Sequence, residues 1–453
     1  MTAQSHTRRV ATMGTAMLLC LGLVTTGTSM VTAGAVTKTV KVPGVTAKQI
    51  TIGATVPLTG IASAGYSDIA KAANAVFKYV NSKGGVNGRK IKFIQKDDCY
   101  GTPGFGCTGV ANTTTQTRAL LSVPVFATVG SLGTPTQDSV RSLLKANKVP
   151  TLFVQSGARD WNNPSQYPGL FGYQTSYNEE AKIEAKYIVA TYPSSSVCFL
   201  GQADDFGADG LAGLLAGGVS LQDTSLYSVP ALVVTQGKSI VPYIQKFQAD
   251  HCGVVVIYTI PGATDAALGA ALQLGYSPHW VIGSVGSDPV TVDAAFASLP
   301  IPDPEIGAVS FTFEPTTTSN SPWIPWMNKV MLADKVDFPN FTSITPLTGN
   351  MEVGMAWGVS FVEALKAAGK TFTRASFLKT MTSTTFNQTP ALLPLRYTPN
   401  DHQGLNGGYL VTITSATSAQ PIDGKIWQTD SNNSTPVTQA KRLSTGTVPS
   451  WLK

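Results

Sequence analysis

The chain has 453 residues, 43% of them hydrophobic and only 13% charged, with a formal net charge of +6. That length admits a large buried core and about two domains. The charge is sparse and nowhere clustered, whereas a nucleic-acid-binding face needs lysines and arginines gathered on one side. Nucleic acid is therefore excluded as a partner.

Arg8 and Arg9 precede an apolar run from Val10 to Val24, and small residues follow up to Ala33-Gly34-Ala35. That order reads as a secretory signal peptide over residues 1–35, cleaved after Ala35. A membrane anchor competes, but the run is shorter than the roughly 20 residues a spanning helix needs and glycines and threonines interrupt it. Thr7-Arg8-Arg9 matches a twin-arginine signal weakly, and Leu18-Leu19 before Cys20 argues against a lipid anchor there. The expected location is extracytoplasmic, whether periplasmic, secreted or at the cell surface.

From residue 36 to 48 a polar leader runs into a strand, ITIGATVPLTG. A helix follows, in which Ile69, Ala72, Ala73, Val76, Phe77 and Val80 recur at three- and four-residue spacing. Gly84-Gly85 ends it, and Asn87-Gly88 turns the chain into a second, alternating strand carrying Ile91 and Phe93. Strand, helix and strand with a short return make a right-handed βαβ unit, whose ligands sit beyond the carboxyl ends of the strands, so Pro57 and Thr59 in the loop Val56–Gly60 are candidate ligand contacts. A polar helix to Leu121, a strand VPVFATVG, a helix Thr134–Asn147 and a strand Val149–Val154 extend the same pattern. The segment FGYQTSYNEE, 171–180, marks a boundary. Past it the pattern restarts, with helices over 179–191, 206–217, 238–249 and 263–274 and strands over 197–200, 230–234, 253–258 and 280–283. The extended run 307–315 crosses back, helices 323–333, 351–368 and 374–381 rejoin the first lobe, and 388–396 crosses again to strands at 408–414. The last stretch, 416–453, is rich in Ser, Thr, Asn and Pro and reads as a surface coil pinned by Trp427 and Trp451.

The fold class is thus α/β: two doubly wound parallel-sheet lobes joined by a three-segment hinge. The expected divisions are 47–172 with 313–390 for lobe I, 173–312 with 391–415 for lobe II, and a C-terminal tail. Four cysteines remain after cleavage, and an even count in an exported chain favours disulfides. Cys99–Cys107 would close a small loop after the second strand. Cys198 opens VCFLG and Cys252 immediately precedes GVVVIY, so neighbouring parallel strands would bring them side by side. Of three connectivities, 99–107 with 198–252 is the expected one; zinc would want paired C-x-x-C spacing, which is missing.

The first unit also carries a resemblance. Pro57, Thr59 and Gly60 after the first strand, Asn81, Gly84, Gly85, Gly88, Arg89 and Ile91 around the turn, and Asp97-Asp98 after the second strand form one combined pattern. It resembles the extracytoplasmic solute-binding proteins of the branched-chain amino-acid type, with the type I periplasmic binding fold, over about residues 47–415. That resemblance implies a small organic solute caught between hinged lobes and delivered to the permease of an ABC importer, by a protein that is a monomer and needs no cofactor. It places a carboxylate-binding hydroxyl at Thr134, strand-edge contacts at Ser156, Gly157 and Ala158, an aromatic at Phe206, a loop contact at Pro261 and an acid near Val285. Two positions depart from it: Phe206 stands where the amino-acid binders carry tyrosine, and Val285 where they carry glutamate. Either Asp205 or Asp288 replaces that acid, or the solute is an apolar carboxylate, an amide or an aromatic compound rather than an α-amino acid. A buried ammonium without a carboxylate would cost several kcal/mol, roughly, so the second option is preferred.

Gly104-Phe-Gly106-Cys-Thr-Gly109 matches the dinucleotide fingerprint but follows the second strand and lacks a later acid. Gly237-Lys238-Ser239 resembles the end of a P-loop whose first glycine is replaced by Leu232. Only His251, His279 and His402 follow the leader, with no H-E-x-x-H and no G-x-S-x-G, so an enzyme is not expected. The carboxylate pairs Asp97-Asp98, Glu179-Glu180 and Asp204-Asp205 read as strand ends and helix caps. Two rivals stay open: a ligand-sensing module of the same fold, and a secreted hydrolase.

Overall fold

The computed structural model describes residues 41–453 apart from 103, 105, 230–239, 299 and 302. The signal peptide, the strand expected over 230–234 and the loop at Gly237 lie outside the described residues. The first lobe is built from β1 (Gln49–Val56), α1 (Tyr66–Ser82), β2 (Lys90–Asp97), α2 (Thr113–Leu121), β3 (Thr128–Val129), α3 (Thr134–Ala146), β4 (Thr151–Val154) and β5 (Leu170–Gly172). Its five strands are all parallel, in the order β2-β1-β3-β4-β5. The apolar stripe read in α1 is buried throughout. Gly84 and Gly85 take φ of 101° and 76°, values only glycine adopts cheaply. The Asn81 side chain then locks the return, exchanging two 2.7 Å hydrogen bonds with the backbone of Ile91.

The second lobe follows with α4 (Tyr177–Thr191), β6 (Val197–Gln202), α5 (Asp205–Ala216), β7 (Leu221–Tyr227), α6 (Val241–Ala249), β8 (Val254–Tyr258), α7 (Pro261–Leu274), β9 (His279–Ile282), α8 (Pro289–Phe296) and β10 (Val309–Thr312). The chain then returns to lobe I through α9 (Trp323–Ala333), α10 (Gly349–Ala368) and α11 (Arg374–Ser383), makes a small pair of β11 (Thr385–Phe386) and β12 (Leu395–Arg396), and finishes with β13 (Gly407–Ser415), β14 (Ser418–Gln428) and β15 (Thr438–Gln439). The second sheet runs β15-β14-β13-β10-β9-β8-β6-β7, parallel from β7 to β10 and antiparallel from β10 outward to β15. Cys99–Cys107 and Cys198–Cys252 are bonded, with Cα atoms 5.7 and 5.8 Å apart.

Among the strands that escape the sequence reading, β7 and β14 are the longest. β7 is an edge strand whose outer residues are polar and exposed, so it shows little of the apolar signal that marks a strand with neighbours on both sides. The tail is not simply coil: β14 pairs antiparallel with β13 over most of its length. It is largely exposed and carries Pro421 and Gly424, residues that weaken any strand signal. Trp451 is pinned as read, donating to Gln388 Oε1 at 2.9 Å.

The returning helices seat firmly on lobe I. A Cβ on Gly354 would stand 2.0 Å from the Ile69 carbonyl, and one on Gly358 3.3 Å from Ala73 Cα, so α10 and α1 touch backbone to backbone. At the head of α11, Arg374 donates to the carbonyls of Phe126, Val125 and Lys148 at 2.8, 2.6 and 2.9 Å. The three crossings lie against one another. Tyr397 donates to the Gly172 carbonyl, Leu392 N–H to Phe313 O at 3.0 Å and Leu405 N–H to Tyr173 O at 2.9 Å.

Candidate functional site

A cavity lies between the lobes at the carboxyl ends of the strands. Tyr100 is delivered to it by the loop after β2. Cys99 and Tyr100 take φ of 49° and 58°, an unfavourable region for side-chain-bearing residues. The Cys99–Cys107 bond and the Asp98 carboxylate, which accepts from Tyr100 N–H at 3.1 Å and from the Thr113 hydroxyl at 2.8 Å, hold that turn. Burial pushes the Asp98 carboxyl up to about 6 against these donors.

Of the residues the sequence nominates, Thr134, Phe206, Val285 and Asp288 line the cavity together. Thr134 opens α3, whose cap is Gly133 at φ 107° with no side-chain cap, so the helix end presents unpaired N–H groups. Ser156, Gly157 and Ala158 stand behind this wall, all buried. The Ser156 hydroxyl meets that of Thr134 at 2.7 Å and accepts from Ala158 N–H at 3.2 Å. Gly157 has no room for a side chain, since a Cβ would lie 2.8 Å from both Thr175 O and the Tyr177 ring. Pro57 is buried under its loop, and Thr59 turns away from the cavity. The Thr59 hydroxyl bonds Asp97 and accepts from Thr108 N–H at 2.9 Å, stitching the disulfide loop to β1. Pro261 begins α7 outside the cavity lining, where a Cβ on its neighbour Gly262 would touch Ile61 of lobe I at 3.7 Å.

The sequence reading missed Tyr177. It lies in the boundary segment 171–180, yet its ring reaches across from lobe II, tilts on Phe206 at 4.3 Å and sets its hydroxyl beside those of Thr134 and Ser156. Burial raises that phenol to about 12, with the hydroxyl contacts pulling the other way. Glu314 and Glu352 were missed too; both line the cavity and both are buried.

Asp288 does not face the cavity as a free acid. It caps α8, and its oxygens accept from Thr291 Oγ1 and Asn350 Nδ2 at 2.8 Å each and from Gly349 N–H at 3.4 Å. Burial raises its pKa against those donors. Asp205 lies outside the lining and shares a hydrogen bond with Asp160, which with burial raises it to about 6.

Direct contacts bridge the lobes around the cavity. Tyr66 Oη donates to Val285 O at 2.9 Å and Gln202 Nε2 to Tyr100 Oη at 3.2 Å. Arg159 grips Asp209 through its N–H at 2.8 Å and its Nε at 2.7 Å. The structure is therefore a closed form. Hydroxyls, aromatic faces and carboxylate acceptors in a shielded cleft bind a solute reversibly. Among the described residues no three His, Cys, Asp or Glu side chains group to hold a metal, and no helix is long and apolar enough to cross a membrane.

No curated protein matches the sequence. Solved structures match in fold. A possible leucine/isoleucine/valine-binding protein from Rhodopirellula baltica SH 1 is 21% identical, with TM-score 0.69, over 83% of this chain and 96% of that one. A fatty acid ABC transporter substrate-binding protein from Thermomonospora curvata is 17% identical, with TM-score 0.70, over 88% and 97%. A solute binding protein of an ABC transporter from Rhodopseudomonas palustris BisB5, in complex with 3,4-dihydroxy benzoic acid, is 17% identical, with TM-score 0.64, over 87% and 98%. The periplasmic binding protein family model matches residues 49–419, and the two hinged α/β lobes closed over a cleft are the architecture it describes: the chain belongs to the periplasmic binding protein family and is a solute-binding protein.

Proposed function

We propose that the protein is exported, captures a small organic solute in the cleft between its lobes, and delivers it to the permease of an ABC importer. The solute is amino-acid-like, a carboxylate or an amide, and the receptor works as a monomer without catalysing a reaction. The observation that carries this reading is the convergence of Thr134, Phe206 and Val285, from both lobes, on one cavity at the carboxyl ends of the strands. Similar folds described as binding fatty acids, valine and 3,4-dihydroxy benzoic acid support the breadth of that class. Binding in the micromolar range, about −8 kcal/mol, allows capture and release. A thermal-shift screen against amino acids, short organic acids, amides and aromatic acids tests it, because bound ligand raises the melting temperature by mass action. A true ligand also fails to stabilise a protein whose cleft is filled by Val285→Trp. Stabilisation that persists in that variant places binding elsewhere and overturns the proposal.

A further inference from the structure

Two buried carboxylates in the cleft each have one oxygen that the described protein leaves without a partner. Glu314 follows β10 on the crossing to lobe I, and Glu352 sits in the first turn of α10. Their exposures are 1% and 2%. Tyr173 Oη donates to Glu314 Oε1 at 3.1 Å, but Glu314 Oε2 and Glu352 Oε1 have no hydrogen-bond partner among the described residues. A buried acceptor left bare costs roughly 1–3 kcal/mol, and more when charged, so such groups call for a donor that arrives with the ligand. A third acceptor on the same cavity, Gln155 Oε1, is also bare, while its Nε2 donates to Phe153 O at 3.0 Å.

The charge of the cavity points the same way. Among its described lining residues there is no lysine, arginine or histidine, and its acids are Asp288, Glu314 and Glu352. Asp288 is already satisfied by protein donors. The titratable groups facing the two glutamates are each other and Tyr173, with Tyr66, Tyr100 and Tyr177 elsewhere on the lining. None of these supplies a positive charge. The rings of Phe206, Phe311 and Phe313 also line the cavity, and aromatic faces favour a cation.

We infer that Glu314 and Glu352 form an ammonium-recognition subsite, and that the solute carries a protonated amine on an apolar body. This rests on the cleft being the binding site. Burial raises the proton affinity of both glutamates, and for Glu352 the charge of Glu314 adds to it. An incoming ammonium displaces a proton from the pair, which remains as carboxylate beside the cation.

The test uses 3-phenylpropylamine, 3-phenylpropan-1-ol and 3-phenylpropanoate, together with hexylamine, hexanol and hexanoate, titrated calorimetrically into the full protein. Buffers of different ionisation enthalpy count protons. Within at least one skeleton the amine is expected to bind at least tenfold tighter than its alcohol and carboxylate, to release protons on binding at pH 7, and to gain affinity from pH 6 to 7. Glu314→Gln/Glu352→Gln is expected to lose that amine preference and the proton release. Far-UV circular dichroism checks that this variant folds, and the proton count on the unmodified protein stands whether or not it does. Carboxylates or alcohols bound in preference to amines, no amine binding at 10 mM, or amine binding without proton release and unaffected by the double variant each overturn the inference. The Val285→Trp protein separates the two levels. If it abolishes a carboxylate's binding, the cleft reading stands and the subsite falls; if amine binding survives it, the cleft reading itself falls.

Discussion

Arg159, in the loop after β4, closes on Asp209 of α5 across the mouth of the cleft, with its backbone N–H and its Nε each engaging one carboxylate oxygen at 2.8 and 2.7 Å. The backbone hydrogen bond is available to any residue at 159, whereas the ion pair belongs to arginine. The side chain of Arg159 is 40% exposed and that of Asp209 only 9%. Solvent screening keeps such a half-exposed pair to about 1 kcal/mol or less.

Arg159→Ala therefore shifts the protein toward the open form without unfolding it. The apparent affinity for any cleft ligand falls by about twofold to fivefold, because closure then draws on part of the binding free energy. Small-angle X-ray scattering of the ligand-free protein shows a larger radius of gyration than for the unmodified chain. An unchanged radius together with unchanged affinity removes the pair from the closing mechanism.

Thr134 and Tyr177 act from opposite lobes on one hydroxyl cluster. Thr134→Ala removes one buried hydrogen bond, worth about 1 kcal/mol. The melting temperature falls by about 2–4 °C, while ligand affinity drops about tenfold. Tyr177→Phe keeps the ring on Phe206 and gives a smaller loss. Full affinity in both variants places the solute away from this wall.

Several carboxyls are held protonated by burial: Glu179 at about 8, Glu180 at about 7, and Asp265 at about 8 with help from Asp303. Because the folded chain binds these protons more tightly than the unfolded one, their contribution is full below the unfolded value near 4 to 4.5 and is lost as pH rises through 7 to 8. Asp430, held at about 2, first by hydrogen bonds from Thr435 and Ser434 that outweigh its burial, acts oppositely and only in acid. The melting temperature is expected to peak near about pH 5 and fall by several degrees toward pH 8. Glu179→Gln keeps the capping geometry around Ser176 and flattens the alkaline side of the curve. A profile that rises from pH 5 to 8 contradicts the assignment.

The two disulfides differ in the chain they enclose, with sequence separations of 8 and 54. Loop entropy assigns them about 2.6 and about 4 kcal/mol respectively. The folded, unreduced protein without its leader should show no thiol titrating with a chromogenic thiol reagent. Replacing Cys198 and Cys252 by alanine should lower stability more than replacing Cys99 and Cys107, as read by urea unfolding. The smaller bond acts instead on the cleft: without it the Tyr100 turn relaxes and ligand affinity falls. Equal affinity with the Cys99–Cys107 bond absent refutes that role.

How much of this was legible in the sequence varied with burial. α1 declared itself because one face is apolar and the other is not, and glycines with positive φ mark its end. The central parallel strands of both lobes read as short apolar runs because both their faces are covered. β7 and β14 stayed hidden because an exposed strand beside water needs no apolar alternation. The site split along the same line. Thr134, Phe206, Val285 and Asp288 follow strands at the ends where such sheets gather ligands, so topology alone pointed to them. Tyr177, Glu314 and Glu352 come from crossing segments, which reach the cavity only once the three connections are packed side by side. No local pattern encodes that.

The backbone contact of Gly354 on Ile69 has a consequence for how the chain is made. α1 is made early, and the helix that covers it arrives only after β6 to β10 of the second sheet. Until then its apolar flank is bare, and a half-made chain would be vulnerable to self-association. Maturation is thus a late event in which the last quarter of the polypeptide locks the first lobe, and a nascent chain stalled before residue 349 should remain protease-sensitive in that lobe.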